Sequence, residues 1–130
     1  MELRALTVVR HTTNIEEMTA FYRDGLGMMI VKQWDRSADD RGAVLAPAGE
    51  VGNATVEVLA LGDVAVQGAA PANVVLTLFV DDARAAEQQV RAAGVEVARG
   101  LEDTPWGHRS FGVDDPDGLR IWIVEELETG

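Results

Sequence analysis

The chain has 130 residues and a mass of 14.0 kDa, enough for one ordinary domain or for two small repeated units. Its net charge of −11, from 22 acidic against 11 basic residues, argues against nucleic acid or an anionic membrane as partner, because phosphate binding is driven by Lys and Arg. The absence of cysteine excludes a disulfide scaffold, a thiolate metal site and a cysteine nucleophile.

Near the N-terminus, Glu2, Arg4 and Arg10 interrupt the apolar run, so neither a signal peptide nor a membrane span is expected, and a cytoplasmic location is the default. Residues 3–9 read as a strand. Asn14 reads as a helix N-cap, with Glu16 and Glu17 in the first turn, where the helix dipole favours acids. Ile15, Met18, Phe21 and Tyr22 form one apolar stripe, and Gly25 and Gly27 close the helix. Residues 28–34 read as a strand, 35–41 as a charged loop and 42–47 as a short strand. A turn bounded by Pro47, Gly49 and Gly52 precedes a β-rich segment over 54–61.

Residues 62–72 are small and weakly patterned, and the order then repeats. Residues 74–80 read as a strand. Asp82 caps a helix carrying Ala86, Val90 and Ala93, closed by Gly94. Strands are expected at 95–98, 108–113 and 119–124, the last two joined by the turn Asp115-Pro116-Asp117-Gly118. Each half reads as β-α-β-β-β. Laid over one another, Thr7 falls on Val75 and Asn14 on Asp82 at an offset of 68, and Glu57 falls on Trp122 at an offset of 65. The expected architecture is α+β: one domain of two tandem βαβββ modules, about 1–61 and 73–130, with 62–72 as linker.

Phe21-Tyr22-Arg23-Asp24-Gly25-Leu26-Gly27 resembles the helix end of the vicinal oxygen chelate superfamily, which includes glyoxalases, extradiol dioxygenases and bleomycin-resistance proteins. Val80-Asp81-Asp82, Arg91-Ala92-Ala93-Gly94-Val95, Thr104-Pro105-Trp106-Gly107 and Asp115-Pro116-Asp117-Gly118 resemble its C-terminal module in order and spacing. The resemblance implies a cup-shaped mixed sheet with helices outside, and a homodimer of paired modules. It also implies metal-ligand positions at Thr7, Glu57, Val75 and Trp122. Only Glu57 among these is a usual ligand, whereas a catalytic site needs about three protein donors. No metal and no cofactor are therefore expected. His11 and His108 fall outside the pattern and read as surface or hydrogen-bonding residues.

The tryptophans carry the sharper signal. Trp122 sets a flat apolar surface where an enzyme of the superfamily would hold metal, and aromatic faces stack on planar ligands. Trp34 and Trp106 are candidates for the same pocket, with Phe111, Val75, Thr7 and His108 beside them. Core packing is the competing reading for any single tryptophan. Glu57 is either a solvated strand residue or a carboxylate lining the pocket. Glu102 and Asp103 read as a solvated acidic turn, and no phosphate-binding glycine loop or nucleophile elbow is present. The expectation is a metal-free protein that sequesters a planar, aromatic or apolar small molecule, an antibiotic being the natural case, with a surface that tolerates a cationic one. The alternative is a lyase, isomerase or dioxygenase with an atypical metal site or with Glu57 as general base.

Overall fold

The structure, a computed structural model, describes residues 1–47, 54–60 and 73–127. The chain divides into two units, Met1–Gly68 and Ala69–Gly130. The expected linker lies outside the described residues, as does the turn after Pro47. Each unit is a βαβββ module, so the fold is α+β with two similar modules.

In the first unit the elements are β1 (Leu6–Thr12), α1 (Ile15–Ala20), β2 (Met29–Ser37), β3 (Asp40–Ala46) and β4 (Ala54–Ala60). The strands form a mixed sheet in the order β1-β4-β3-β2, with β1 parallel to β4 and the other pairs antiparallel. Asn14 starts α1 as its composition demands: its side chain accepts from the Glu17 amide at 3.1 Å and donates to the Glu17 carboxylate at 3.1 Å. The helix widens into a π turn over Phe21–Gly25, where the Leu26 amide reaches back to the Phe21 carbonyl at 3.0 Å. Gly27, at φ 74°, then turns the chain into β2, a conformation a side chain would strain.

Period-two alternation decides which face of this sheet is covered. Ala43, Leu45, Val56 and Val58 are buried together with Ile15, Met18 and Tyr22 from the helical segment. Full burial of a side chain such as Leu45 or Met18 contributes about 1.5–3 kcal/mol. The opposite face carries the intervening residues: Thr7, Val9 and His11 on β1, Thr55, Glu57 and Leu59 on β4, Gly42 and Val44 on β3, Lys32 and Trp34 on β2.

The second unit repeats the plan with β5 (Val75–Phe79), α2 (Ala83–Ala92), β6 (Val97–Asp103), β7 (His108–Asp114) and β8 (Arg120–Glu126), in the order β5-β8-β7-β6. Asp82 caps α2 by accepting from the Ala85 amide at 3.0 Å, and the Glu125 carboxylate accepts from the Ala83 amide at 2.9 Å, tying the helix start to β8. Ala83 and Val90 are its buried residues, and they share the core with Phe111, Val113, Ile121 and Ile123. The acidic turn holds Asp115 buried, with its Oδ1 accepting from the Asp117 and Leu119 amides at 3.0 Å each.

Three segments differ from the sequence reading. The strand expected at 95–98 is β6, which starts two residues later and runs on to Asp103. Residues 35–41 are no loop: β2 runs to Ser37, turns through Ala38 and Asp39, and returns as β3 from Asp40. Its charges resemble a loop because they pair across the hairpin, Arg36 with Asp40 at 2.7 Å and Arg41 with Asp35 at 3.3 Å. Glu102 and Asp103 likewise end β6 instead of forming a turn, and Asp103 accepts a two-pronged ion pair from Arg109 of β7 at 2.7 and 3.1 Å.

Candidate functional site

Each unit leaves one sheet face uncovered by its own helix, and each of those faces holds one indole on one glycine. In the first unit Trp34 of β2 is the register partner of Gly42 of β3. A Cβ built on Gly42 would overlap Cζ2 of Trp34 and lie 2.8 Å from Cε2 and from Cη2. The ring therefore lies against the β3 backbone, in space that a side chain there would take. The Lys32 ammonium stands 5.8 Å from the ring centre, within cation–π range. Hydrogen bonding holds the Asp40 carboxyl below its ordinary range, chiefly from Arg36 and in smaller part from the Trp34 side chain.

The second unit reaches a similar arrangement with different strands. Trp122 of β8 is the partner of Gly112 of β7, where an added Cβ would meet Cζ3 at 2.9 Å and Cε3 at 3.1 Å. The Arg120 guanidinium stands 5.1 Å from the Trp122 ring centre and is held by Asp114 at 2.6 Å. Both rings are half-buried, which leaves part of each available to a planar partner.

The remaining predicted residues separate by face. Thr7 and Glu57 share the open face with Trp34, and Glu57 sits in the row Val9–Glu57–Val44–Lys32. Val75 and His108 share the open face with Trp122. Val75 is 47% exposed, and His108 meets Phe79 edge-on at 6.5 Å. Phe111 does not join them. It alternates with Gly112, points to the helix side and is fully buried, so it is a core residue behind the Trp122 face.

Trp106 is 71% exposed, in a turn fixed by hydrogen bonds from the Thr104 amide to the His108 carbonyl at 2.7 Å and from the Leu127 amide to the Gly107 carbonyl at 2.8 Å. From His108 to Gly112 the strand runs about 13 Å, so Trp106 is at the rim of the sheet and apart from Trp122. Sequence reasoning missed Gly42, Gly112, Lys32 and Arg120. An isolated glycine inside a strand pattern was the available signal, since it marks close approach of another group.

The metal-ligand positions of the fold do not fit a metal ion. The Thr7 hydroxyl is shared with the Thr55 hydroxyl at 2.9 Å, Val75 has no donor atom, and the Trp122 indole only donates a hydrogen bond. Among the described residues no group of three or more His, Asp or Glu side chains is arranged to hold one.

With this fold and these faces in place, comparison with known proteins gives the class. Residues 5–123 match the Glyoxalase/Bleomycin resistance protein/Dioxygenase superfamily, and the chain belongs to it. Among solved structures it is similar to TioX from Micromonospora sp. ML1, at 21% identity over 95% of this chain and 98% of that one, with a TM-score of 0.72. It is similar to TnmS3, an antibiotic binding protein from Streptomyces sp. CB03234, at 23% identity over 97% and 96% of the two chains, with a TM-score of 0.71. A superfamily member from Sphaerobacter thermophilus DSM 20745 aligns at 23% identity over 96% and 98%, with a TM-score of 0.75. These likenesses establish shared fold. Comparison with curated proteins finds no match. No described helix is long and apolar enough to cross a membrane.

Proposed function

We propose that the protein binds a planar, largely apolar small molecule without converting it, in the manner of antibiotic sequestration. The observation that carries this reading is the seating of an indole on a bare glycine in each unit's open sheet face. Such a pair has no use in metal coordination. A flat aromatic surface with few polar neighbours is what a planar ligand needs. Membership of the superfamily, and the likeness in fold to TnmS3, an antibiotic binding protein, support the same reading.

Trp34 and Trp122 are the stacking residues in this proposal. Thr7, Glu57, Val75 and His108 supply the edges, and Trp106 guards the rim. No metal or cofactor takes part. The test is equilibrium dialysis of purified protein against 2-naphthalenemethanol, a neutral planar probe, followed by mass analysis of what is recovered. Saturable binding with the probe returned at unchanged mass is expected. Conversion of the probe, or no binding to millimolar concentration, would contradict the proposal.

We also infer a homodimer. Leu6 and Val9 on edge strand β1, and Val75 and Phe79 on edge strand β5, are each at least 42% exposed. Edge strands carrying apolar side chains are better covered than left in water. Light scattering is expected to report about 28 kDa, twice the chain mass of 14.0 kDa; a value near the single chain's would overturn the inference.

A further inference from the structure

We propose that the open face of the first unit selects planar ligands bearing an anionic oxygen, a carboxylate or phenolate, at the edge of the ring system, and that Lys32 is the residue that selects it. This rests on the stacking role given to Trp34 above and goes beyond it by fixing the charge of the ligand. A chain of net charge −11 would be expected to attract cations, yet the charge standing over the Trp34 ring is an ammonium.

The acidic group beside that indole is already satisfied. Asp40, next to the ring, takes both prongs of Arg36 at 2.7 and 3.1 Å. Asp35 and Glu16, on the opposite, helix-covered face, are both paired with Arg41. Lys32 has no ion pair among the described residues, and its side chain is exposed. Glu57 shares the row two strands away, about 10 Å between backbones at the usual strand spacing, and among the described residues no ion pair joins it to Lys32. A ring stacked on Trp34 therefore meets the Lys32 ammonium first, with the Glu57 carboxylate further off in the same row. The second unit differs: Arg120 over Trp122 is neutralised by Asp114 at 2.6 Å, so that indole offers stacking without charge selection.

Three probes of one ring system isolate the effect: 2-naphthoate, 2-naphthalenemethanol and 2-naphthylmethylammonium, each titrated by calorimetry at low salt into the full chain carrying Trp122→Ala, so that the Trp34 face is read alone. The anion is expected to bind roughly three- to fivefold tighter than the neutral alcohol, the range of an exposed ion pair, and the cation more weakly than either. The preference should shrink in high salt. Lys32→Met should abolish it while leaving the alcohol's affinity within about twofold, and Lys32→Arg should restore it. Arg84→Gln removes the same charge from α2 in the second unit and should leave the preference in place. If the alcohol binds but the anion gains nothing, or if Lys32→Met keeps the preference, charge selection is wrong and stacking stands. If none of the three probes binds, the stacking reading fails and takes this inference with it.

Discussion

The indole of Trp34 lies where a side chain on Gly42 would be, so an alanine there would overlap Cζ2 and approach Cε2 and Cη2 to 2.8 Å. Gly42 is not in a positive-φ conformation, so its backbone tolerates a side chain and the conflict is with the ring alone. Gly42→Ala is accordingly expected to fold, with a stability change under about 1.5 kcal/mol, the scale of forcing a side chain off its rotamer. Its Trp34 indole should move, and affinity for a neutral planar probe on that face should fall by up to about tenfold, the value of a lost aromatic stacking contact. Gly112→Ala, with contacts of 2.9 and 3.1 Å to Trp122, should show the same effect more weakly. Indole N–H resonances report the displacement directly, and unmoved rings in both variants would contradict the packing described.

Trp122 and Phe111 lie on opposite faces of one sheet, and their truncation should have opposite consequences. Phe111 is fully buried, so Phe111→Ala should destabilise the protein by about 3–5 kcal/mol, read from urea unfolding. Trp122 is half-buried on the open face, so Trp122→Ala should cost appreciably less in stability. It should weaken binding of planar probes by roughly tenfold, and Trp122→Phe should weaken it less. A Trp122→Ala variant as unstable as Phe111→Ala would make Trp122 a core residue instead.

What the sequence made legible was periodic. The element order, the caps Asn14 and Asp82, and the glycine turns at 27 and 94 were readable because each depends on local chemistry. The hairpin over 35–41 was hidden because cross-strand ion pairs use the same charged residues as a solvated loop, and only the register distinguishes them. Phe111 was placed with Trp122 although one residue of alternation separates the two faces; the register of β7 against β8 decides this, and it is a long-range property. The indole–glycine seats escaped for the same reason. Trp34 and Gly42 are near in sequence but meet only if the chain between them is a tight hairpin.

Acid should weaken the β6–β7 edge. The Asp103 carboxyl is held below its ordinary value, first by the hydrogen bond from Arg109. A carboxylate with a depressed folded value contributes stability that is present in full above its unfolded pKa, about 3.9, and is lost as pH falls through the lower folded value. Asp103→Asn should therefore lower the urea midpoint slightly at pH 6 to 7, and its curve should converge with the wild type as pH falls through the lowered folded value. The pair is solvent-exposed, so the gap should also narrow in high salt. A gap that widens towards acid would contradict the sign.

The central claim is that planar molecules stack on the indoles of the two open faces. The chain has 3 tryptophans, so their indole N–H resonances can be followed one by one while 2-naphthalenemethanol is added to ¹⁵N-labelled protein, with assignments from single Trp→Phe variants. Saturable shifts are predicted at Trp34 and Trp122, with a smaller response at Trp106. Trp122→Ala should lose one of the two saturating responses while the other persists. Contradiction would take the form of shifts that never saturate at any indole, or of a Trp122→Ala protein that binds the probe as tightly and at as many sites as the wild type.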